Sequence, residues 1–380
     1  MAIFGFSFAF PFLSIFINKD LGVPSGTDLY VWTAASASAS GIALAIASPV
    51  WGLLGDRFGR KPMLIRSMLG GAITVGLIYF VQTPLELVVL RFLQGLTSGT
   101  VAAATALVAA ETPRSRVGWA LGVVTSAVAL GGAIGPVVGG IAGELFGLRL
   151  VFLLGGFLLL VSLGPVLVVV RESPRAPRTG PRVGTLTLID RQPGLRKALA
   201  VLVAAQGLVS LVQAATQQLV VLRLLEMVTT GVSAVSGLGF GLAGIASSAA
   251  AVGYTRVTRH LGYVRTSAAA AGLMALAVLL LGVAPYTWLV VVAVGLTGLL
   301  GGVVLPATAS MIGLETPHEA QSTVFGINAS SVALGFFLGP VIGGSVAAVT
   351  SDVSSALFVV AGLALALAAL LSTSAREPIR

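Results

Sequence analysis

Apolar segments of membrane-crossing length recur along the 380 residues, separated by short stretches rich in charge, proline or glycine. A hydrocarbon layer about 30 Å thick takes about 20 helical residues to cross, and it offers no water to unpaired backbone groups. That confines the chain to an all-α membrane protein. The segments fall near 2–18, 31–53, 64–81, 84–109, 118–143, 149–171, 198–222, 231–255, 265–283, 286–312, 321–349 and 354–373. Composition agrees, with 56% hydrophobic and only 9% charged residues against about 25% charge in soluble domains. The first segment is shorter than a full crossing and reads as a span whose upstream part is missing. It has neither the basic start nor the cleavage site of a signal peptide.

The net charge of +9 lies in the loops rather than on one amphipathic face. This argues against nucleic-acid binding and follows the positive-inside bias. With the loop around Asp56 in the cytoplasm, eighteen of the 22 Lys and Arg fall on that side. Lys19, Arg149 and Arg223 fall on the other, and Arg91 falls within a span. A multi-pass protein of the cell membrane with both termini cytoplasmic is expected. Cysteine is absent, His260 and His318 read as loop residues, and no G-x-x-x-x-G-K-[ST] run occurs. Disulfides, thiolate chemistry, a histidine metal site and direct use of ATP are therefore not expected. The chain reads as a non-enzyme without a cofactor.

The two halves repeat. Glu111-Thr112-Pro113 recurs as Glu315-Thr316-Pro317, and Gly131-x-x-x-Gly135-Pro136-x-x-Gly139-Gly140 recurs as Gly335-x-x-x-Gly339-Pro340-x-x-Gly343-Gly344. Gly59 matches Gly262, where the second copy of the loop has become Arg256-Val257-Thr258-Arg259-His260-Leu261-Gly262. The polar, Pro- and Arg-rich stretch 172–197 divides the repeats into 1–171 and 198–380, and reads as a solvated linker.

The loop Gly52-Leu53-Leu54-Gly55-Asp56-Arg57-Phe58-Gly59-Arg60-Lys61-Pro62 resembles the loop 2–3 signature, motif A, of the major facilitator superfamily of secondary transporters. A basic turn is common at a membrane face, but the acid and the spaced glycines Gly52, Gly55 and Gly59 are not. The resemblance implies twelve transmembrane helices in two pseudo-symmetric six-helix bundles. It also implies that Asp56, with Arg57, Arg60 and the partner Arg116, locks the halves at the cytoplasmic face when the carrier opens outward. Arg91, Gln94 and Gly95 resemble motif B, which implies a role in proton coupling or gating. A charge inside the bilayer costs about 2.5–3.5 kcal/mol or more unless paired or hydrated. Arg91 can alternatively be read as a snorkelling residue near the outer end, with Glu86 a weaker candidate partner. The stretch Gly131, Gly135, Pro136, Gly139 and Gly140 resembles motif C, which implies an antiporter that exports drugs or metabolites. Small residues at this spacing also make a generic helix-packing face.

Gln206, Ser210, Gln213 and Gln217 share one helical face. That face lines a cavity or forms interhelical hydrogen bonds. Asn328 is a similar, isolated candidate. The series Phe4, Phe6, Phe8, Phe10, Phe12 and Phe16 suits lipid or core, and a subset suits an apolar wall. The middle of the first segment has no Asp or Glu; Asp20 reads as solvated, and Glu144, Glu226 and Asp352 as outer-loop residues. Proton antiport therefore rests on the resemblance. The expected function is export of small hydrophobic or amphipathic compounds by a monomer, with protons and the bilayer as partners. A sugar or organic-acid symporter is the alternative. A non-transporting receptor or assembly protein would instead carry a decayed gate.

Overall fold

The computed structural model describes residues 2–113, 116–172, 194–317 and 321–377. Every regular element there is helical. In the first half these are α1 (Ala2–Ala9), α2 (Leu13–Lys19), α3 (Thr27–Phe58), α4 (Arg60–Leu77), α5 (Pro84–Thr97), α6 (Thr100–Glu111), α7 (Val117–Phe146) and α8 (Leu148–Val168). In the second half they are α9 (Leu195–Met227), α10 (Val232–Leu261), α11 (Tyr263–Val283), α12 (Thr287–Glu315), α13 (Gln321–Thr350) and α14 (Val353–Ser374). Eleven segments among the described residues are long and apolar enough to cross a membrane, and Ile3–Lys19 is a shorter apolar one. Most of the stretch 172–197 lies outside the described residues, and α9 begins three residues before the sequence-predicted start at 198. His260 sits in the last turn of α10 rather than in a loop, and His318 lies outside the described residues.

Two spans expected to be continuous are broken. Phe10–Phe12 forms a 3-10 turn between α1 and α2. Pro11 has no N–H to donate, and its ring crowds the preceding turn. The 84–109 span breaks at Ser98, whose backbone is extended, and Gly99, at φ +120°. A residue with a Cβ rarely takes that conformation.

The same helix pairings occur in each half. In the first, α1 packs on α7 and α8, α3 on α5, and α4 on α8. In the second, α9 packs on α13 and α14, α10 on α12, and α11 on α14. Two seams join the halves, α7 with α10 and α3 with α13.

Glycines explain these close approaches. A Cβ on Gly131 or Gly135 would fall within 3 Å of α1 (2.9 Å from Phe4 N and 2.7 Å from Ser7 Cβ). One on Gly139 would lie 2.7 Å from the Phe8 carbonyl carbon. Gly140 faces the other way, against Ser233 and Gly237 of α10. The second copy does the same work. Gly335 and Gly339 abut α9, Gly343 touches Leu219, and Gly344 meets Tyr30 and Ala34 of α3. Small residues bring helix backbones together where lipid supplies no hydrophobic drive for association.

A second repeated device, missed in the sequence, holds the turns. The Glu172 carboxylate accepts from the N–H groups of Arg60 (2.7 Å) and Lys61 (2.9 Å), capping α4. Glu377 accepts likewise from Tyr263 (3.0 Å) and Val264 (2.8 Å), capping α11. An acid at a helix N-terminus satisfies orphan donors and the positive end of the dipole. Gly59 (φ +103°) and Gly262 (φ +85°) make the turns that these caps fill.

Gly139→Ala is expected to abolish most of the folded, monodisperse protein in size-exclusion chromatography of detergent extracts. Gly362→Ala, where a Cβ meets nothing within 4 Å, is expected to be neutral or to stabilise by up to about 1 kcal/mol.

Candidate substrate cavity

Two adjoining cavities lie between the halves. The larger, about 410 Å³, is walled mainly by Phe6, Phe10, Phe240, Met274 and Phe336, with Gln213 and Gln217 as polar points. The smaller, about 270 Å³, is more polar and includes Thr33, Ser40, Arg91, Gln94, Gln217 and Gln218. Phe10, Pro11, Gln217 and Phe336 border both. Pro136 borders the larger and its repeat counterpart Pro340 the smaller. Both helix breaks open here. Pro11 lines the two cavities and Ser98 the smaller one, as expected where non-helical backbone at membrane depth must face a cavity or protein.

Arg91 points inward and does not snorkel. Its Nε donates to Ser36 O (3.2 Å), one terminal nitrogen to the Gln94 side-chain oxygen, and the other to Ser40 Oγ (2.7 Å). The guanidinium also lies over the Phe10 ring, 4.3 Å from its centroid, where the ring quadrupole attracts it. Glu86 is not its partner. That carboxylate closes a capping box with Thr83 at the start of α5. Gly95 lets α5 approach α3 at Ala43, where an added Cβ would fall 2.7 Å from the alanine methyl.

The glutamine face divides. Gln213 and Gln217 reach the cavity, whereas Gln206 donates to Leu305 O (2.9 Å) and Thr308 Oγ1 (3.0 Å), an interhelical bond away from it. Ser210 bonds back to Gln206 O. Asn328 borders neither cavity, and its Oδ1 is buried without a partner among the described residues. Sequence reasoning missed Gln218 and Thr33. Of the phenylalanine series, Phe6 and Phe10 form cavity wall, while Phe8, Phe12 and Phe16 are core.

The halves are sealed at the face opposite the Asp56 loop. Tyr30 Oη donates to Glu226 Oε1 (3.0 Å), and Arg223 pairs with the same carboxylate (3.1 Å). Glu144 accepts from Ser233 N (3.1 Å) and Oγ (2.5 Å). Lys19 donates to Thr229 O and Thr27 to Ala348 O, each at 3.4 Å. Thus Glu144 and Glu226 end their helices in contacts across or beside the seam, instead of standing in loops. Asp352 caps α14, where the Ser355 hydroxyl and the Ser354 and Ser355 N–H groups hold its carboxyl below the usual range. Asp20 pairs with Arg149 at 3.8 Å rather than standing free in solvent. Burial nonetheless raises its pKa, against the lowering effect of Arg149 and Lys19.

Toward the loop face the same four seam helices part. A Cβ at Gly52, Gly122, Gly253 or Gly326 would touch nothing within 4 Å, and Trp119 is 74% exposed. Arg116 is exposed at the start of α7, and Arg57 lies over the Phe58 ring. Arg60 donates to Ala106 O within the first half. The Asp56 side chain lies outside the described residues.

Fold and cavity together define a polytopic helical membrane protein with a chamber between two repeated halves, closed at one face. The sequence profile of the Major Facilitator Superfamily matches residues 1–260 and 228–379, and the chain belongs to that superfamily. It is 30% identical over 347 residues to the multidrug resistance protein MdtG of Dickeya zeae, covering 90% of this chain and 84% of that one. It is 43% identical over 158 residues to the multi-drug resistance efflux pump PmrA of Streptococcus pneumoniae, covering 41% and 39%. The fold also matches the crystal structure of a point mutant of the nucleoside transporter NupG, at TM-score 0.77 and 16% identity over 99% of this chain and 98% of that one.

The seal makes a direct prediction. Tyr30→Phe combined with Glu144→Gln is expected to lengthen spin-label distances across the sealed face by pulsed dipolar spectroscopy. The absence of native cysteine leaves no background labelling. An unchanged distance distribution would mean these bonds do not hold that face shut.

Proposed function

We propose that this protein is a secondary transporter that exports small hydrophobic or amphipathic compounds from the cell. The observation that carries the proposal is the aromatic-walled chamber between the halves, sealed at one face and open toward the other. A site at the repeat interface with one-sided access is what alternating access by rocking halves requires. The names of the relatives as multidrug resistance and efflux proteins support export of drugs over sugar uptake, as does the predominance of apolar wall.

In this reading the chain crosses the membrane twelve times, as pseudo-symmetric six-helix bundles 1–171 and 198–380 joined by the linker 172–197. The loop face is cytoplasmic, together with both termini, so the conformation described is open to the cytoplasm. Reversal closes that face through the Asp56 loop (Gly52, Arg57, Gly59, Arg60) and Arg116, while Gly131, Gly135, Pro136, Gly139 and Gly140 keep α7 seated on α1. Gln213 and Gln217 contact the substrate, with Arg91 and Gln94 at its polar end. Gln206 and Asn328 support the cavity from outside. Export is driven by exchange for protons, and the working unit is a monomer.

Purified protein in proteoliposomes is expected to move a lipophilic dye or antibiotic against a proton gradient and to collapse that gradient as it does so. Inward co-transport of sugars and protons, with no hydrophobic compound moved, would reject export. Asp56→Asn is expected to lower the transport rate at least tenfold with normal membrane insertion; an unaltered rate would remove Asp56 from the gate.

A further inference from the structure

The smaller cavity holds a cation with no counter-ion among the described residues. Arg149 and Arg223 each meet a carboxylate, Asp20 and Glu226. Arg91, only 9% exposed, meets none among the described residues, and no Asp or Glu is among those lining either cavity. Its three hydrogen-bond partners are all neutral, a carbonyl, an amide and a hydroxyl, and the Phe10 ring beside it carries no net charge. A guanidinium carries five N–H donors, so two stay free. Neutral partners satisfy hydrogen bonds but leave the charge uncompensated in a low-dielectric site, where opposite charges attract most strongly.

Two further side chains on the same cavity are prepared for a polar guest. Among the described residues Gln218, 7% exposed, has neither its Nε2 nor its Oε1 partnered, and Thr33, 2% exposed, has an unpartnered Oγ1. Buried polar groups left in this state cost free energy until something binds them. They stand on α9 and α3, from opposite halves, with Arg91 on α5. Phe10 and Phe336 connect this pocket to the apolar chamber.

We infer that the Arg91–Gln218–Thr33 pocket is a subsite for the anionic head of an amphipathic organic acid, whose apolar body lies along Phe10 and Phe336 in the larger chamber. A carboxylate accepts both free guanidinium N–H groups and the Gln218 amide, and it supplies the missing negative charge. Because Gln218 and Arg91 belong to different halves, the head group bridges them. This inference rests on the export reading and narrows its substrates to those with an acidic end.

The test uses three probes with one ring system: 1-naphthaleneacetic acid, its amide, and 1-naphthylmethylamine. Binding to the full-length protein in lipid nanodiscs is measured at neutral pH, alongside export in proteoliposomes. The acid is expected to bind about tenfold tighter than either the amide or the amine, a ranking that needs no variant. Arg91→Gln is expected to bring the acid-to-amide ratio near one, and Gln218→Leu to reduce it about threefold. Acetate, a head without a body, is expected to compete only weakly. The subsite is overturned if the amide or amine binds and moves as well as the acid, an outcome that leaves export standing. It is also overturned if acetate or chloride competes as strongly as the acid, since the pocket would then hold small anions only. If none of the three probes binds, the subsite falls, whereas the export reading falls only if the lipophilic dye and antibiotic also fail to move.

Discussion

Lipid supplies no hydrogen bonds, so each backbone group that leaves a helix inside the bilayer must find a partner in the protein or face a cavity. The rest of the structure follows from this constraint. The chain interrupts its long helices at Phe10–Phe12 and at Ser98-Gly99, and both interruptions border the space between the halves. The polar residues that sequence alone could only suspect, Arg91, Gln94 and Gln217, gather at the same cavity. An interior that is costly to build is concentrated in one place, around the chamber.

The repeated glycine pattern governs how the halves meet. Three glycines of each copy lock a helix to the first helix of its own half, and the fourth turns across the seam. These intra-half contacts are backbone-close. Across the seams, Gly140 against Gly237 and Gly344 against Ala34 present little side-chain relief. These seam contacts are as backbone-close as those within each half. The polar bonds at the sealed face, Tyr30 to Glu226 and Ser233 to Glu144, join the halves at that end.

Much of this was legible beforehand because hydropathy and repeat spacing are properties of a linear string. The spans, the duplication and the packing role of the Gly131–Gly140 stretch could all be read that way. What escaped depended on pairings far apart in sequence. Gln218 lies off the face defined by Gln213 and Gln217, so periodicity ignored it. The inward course of Arg91 depends on Ser36, Ser40 and Phe10, which no local pattern joins to it. Gln206 obeyed the predicted periodicity yet turned to Thr308, because a helical face is wider than the cavity it borders.

The caps at Glu172 and Glu377 bear on the history of the two turns. Both keep the glycine conformation and the capping acid, although the second has lost the acidic residue that marks the first. The shape of the turn is thus secured from outside it, by a carboxylate about a hundred residues downstream. Once the shape of a turn and its acidic residue are carried separately, one copy is free to lose the acid without losing the turn. A symmetric ancestor can in this way come to carry an acid in one of its two turns and keep both turns alike in shape.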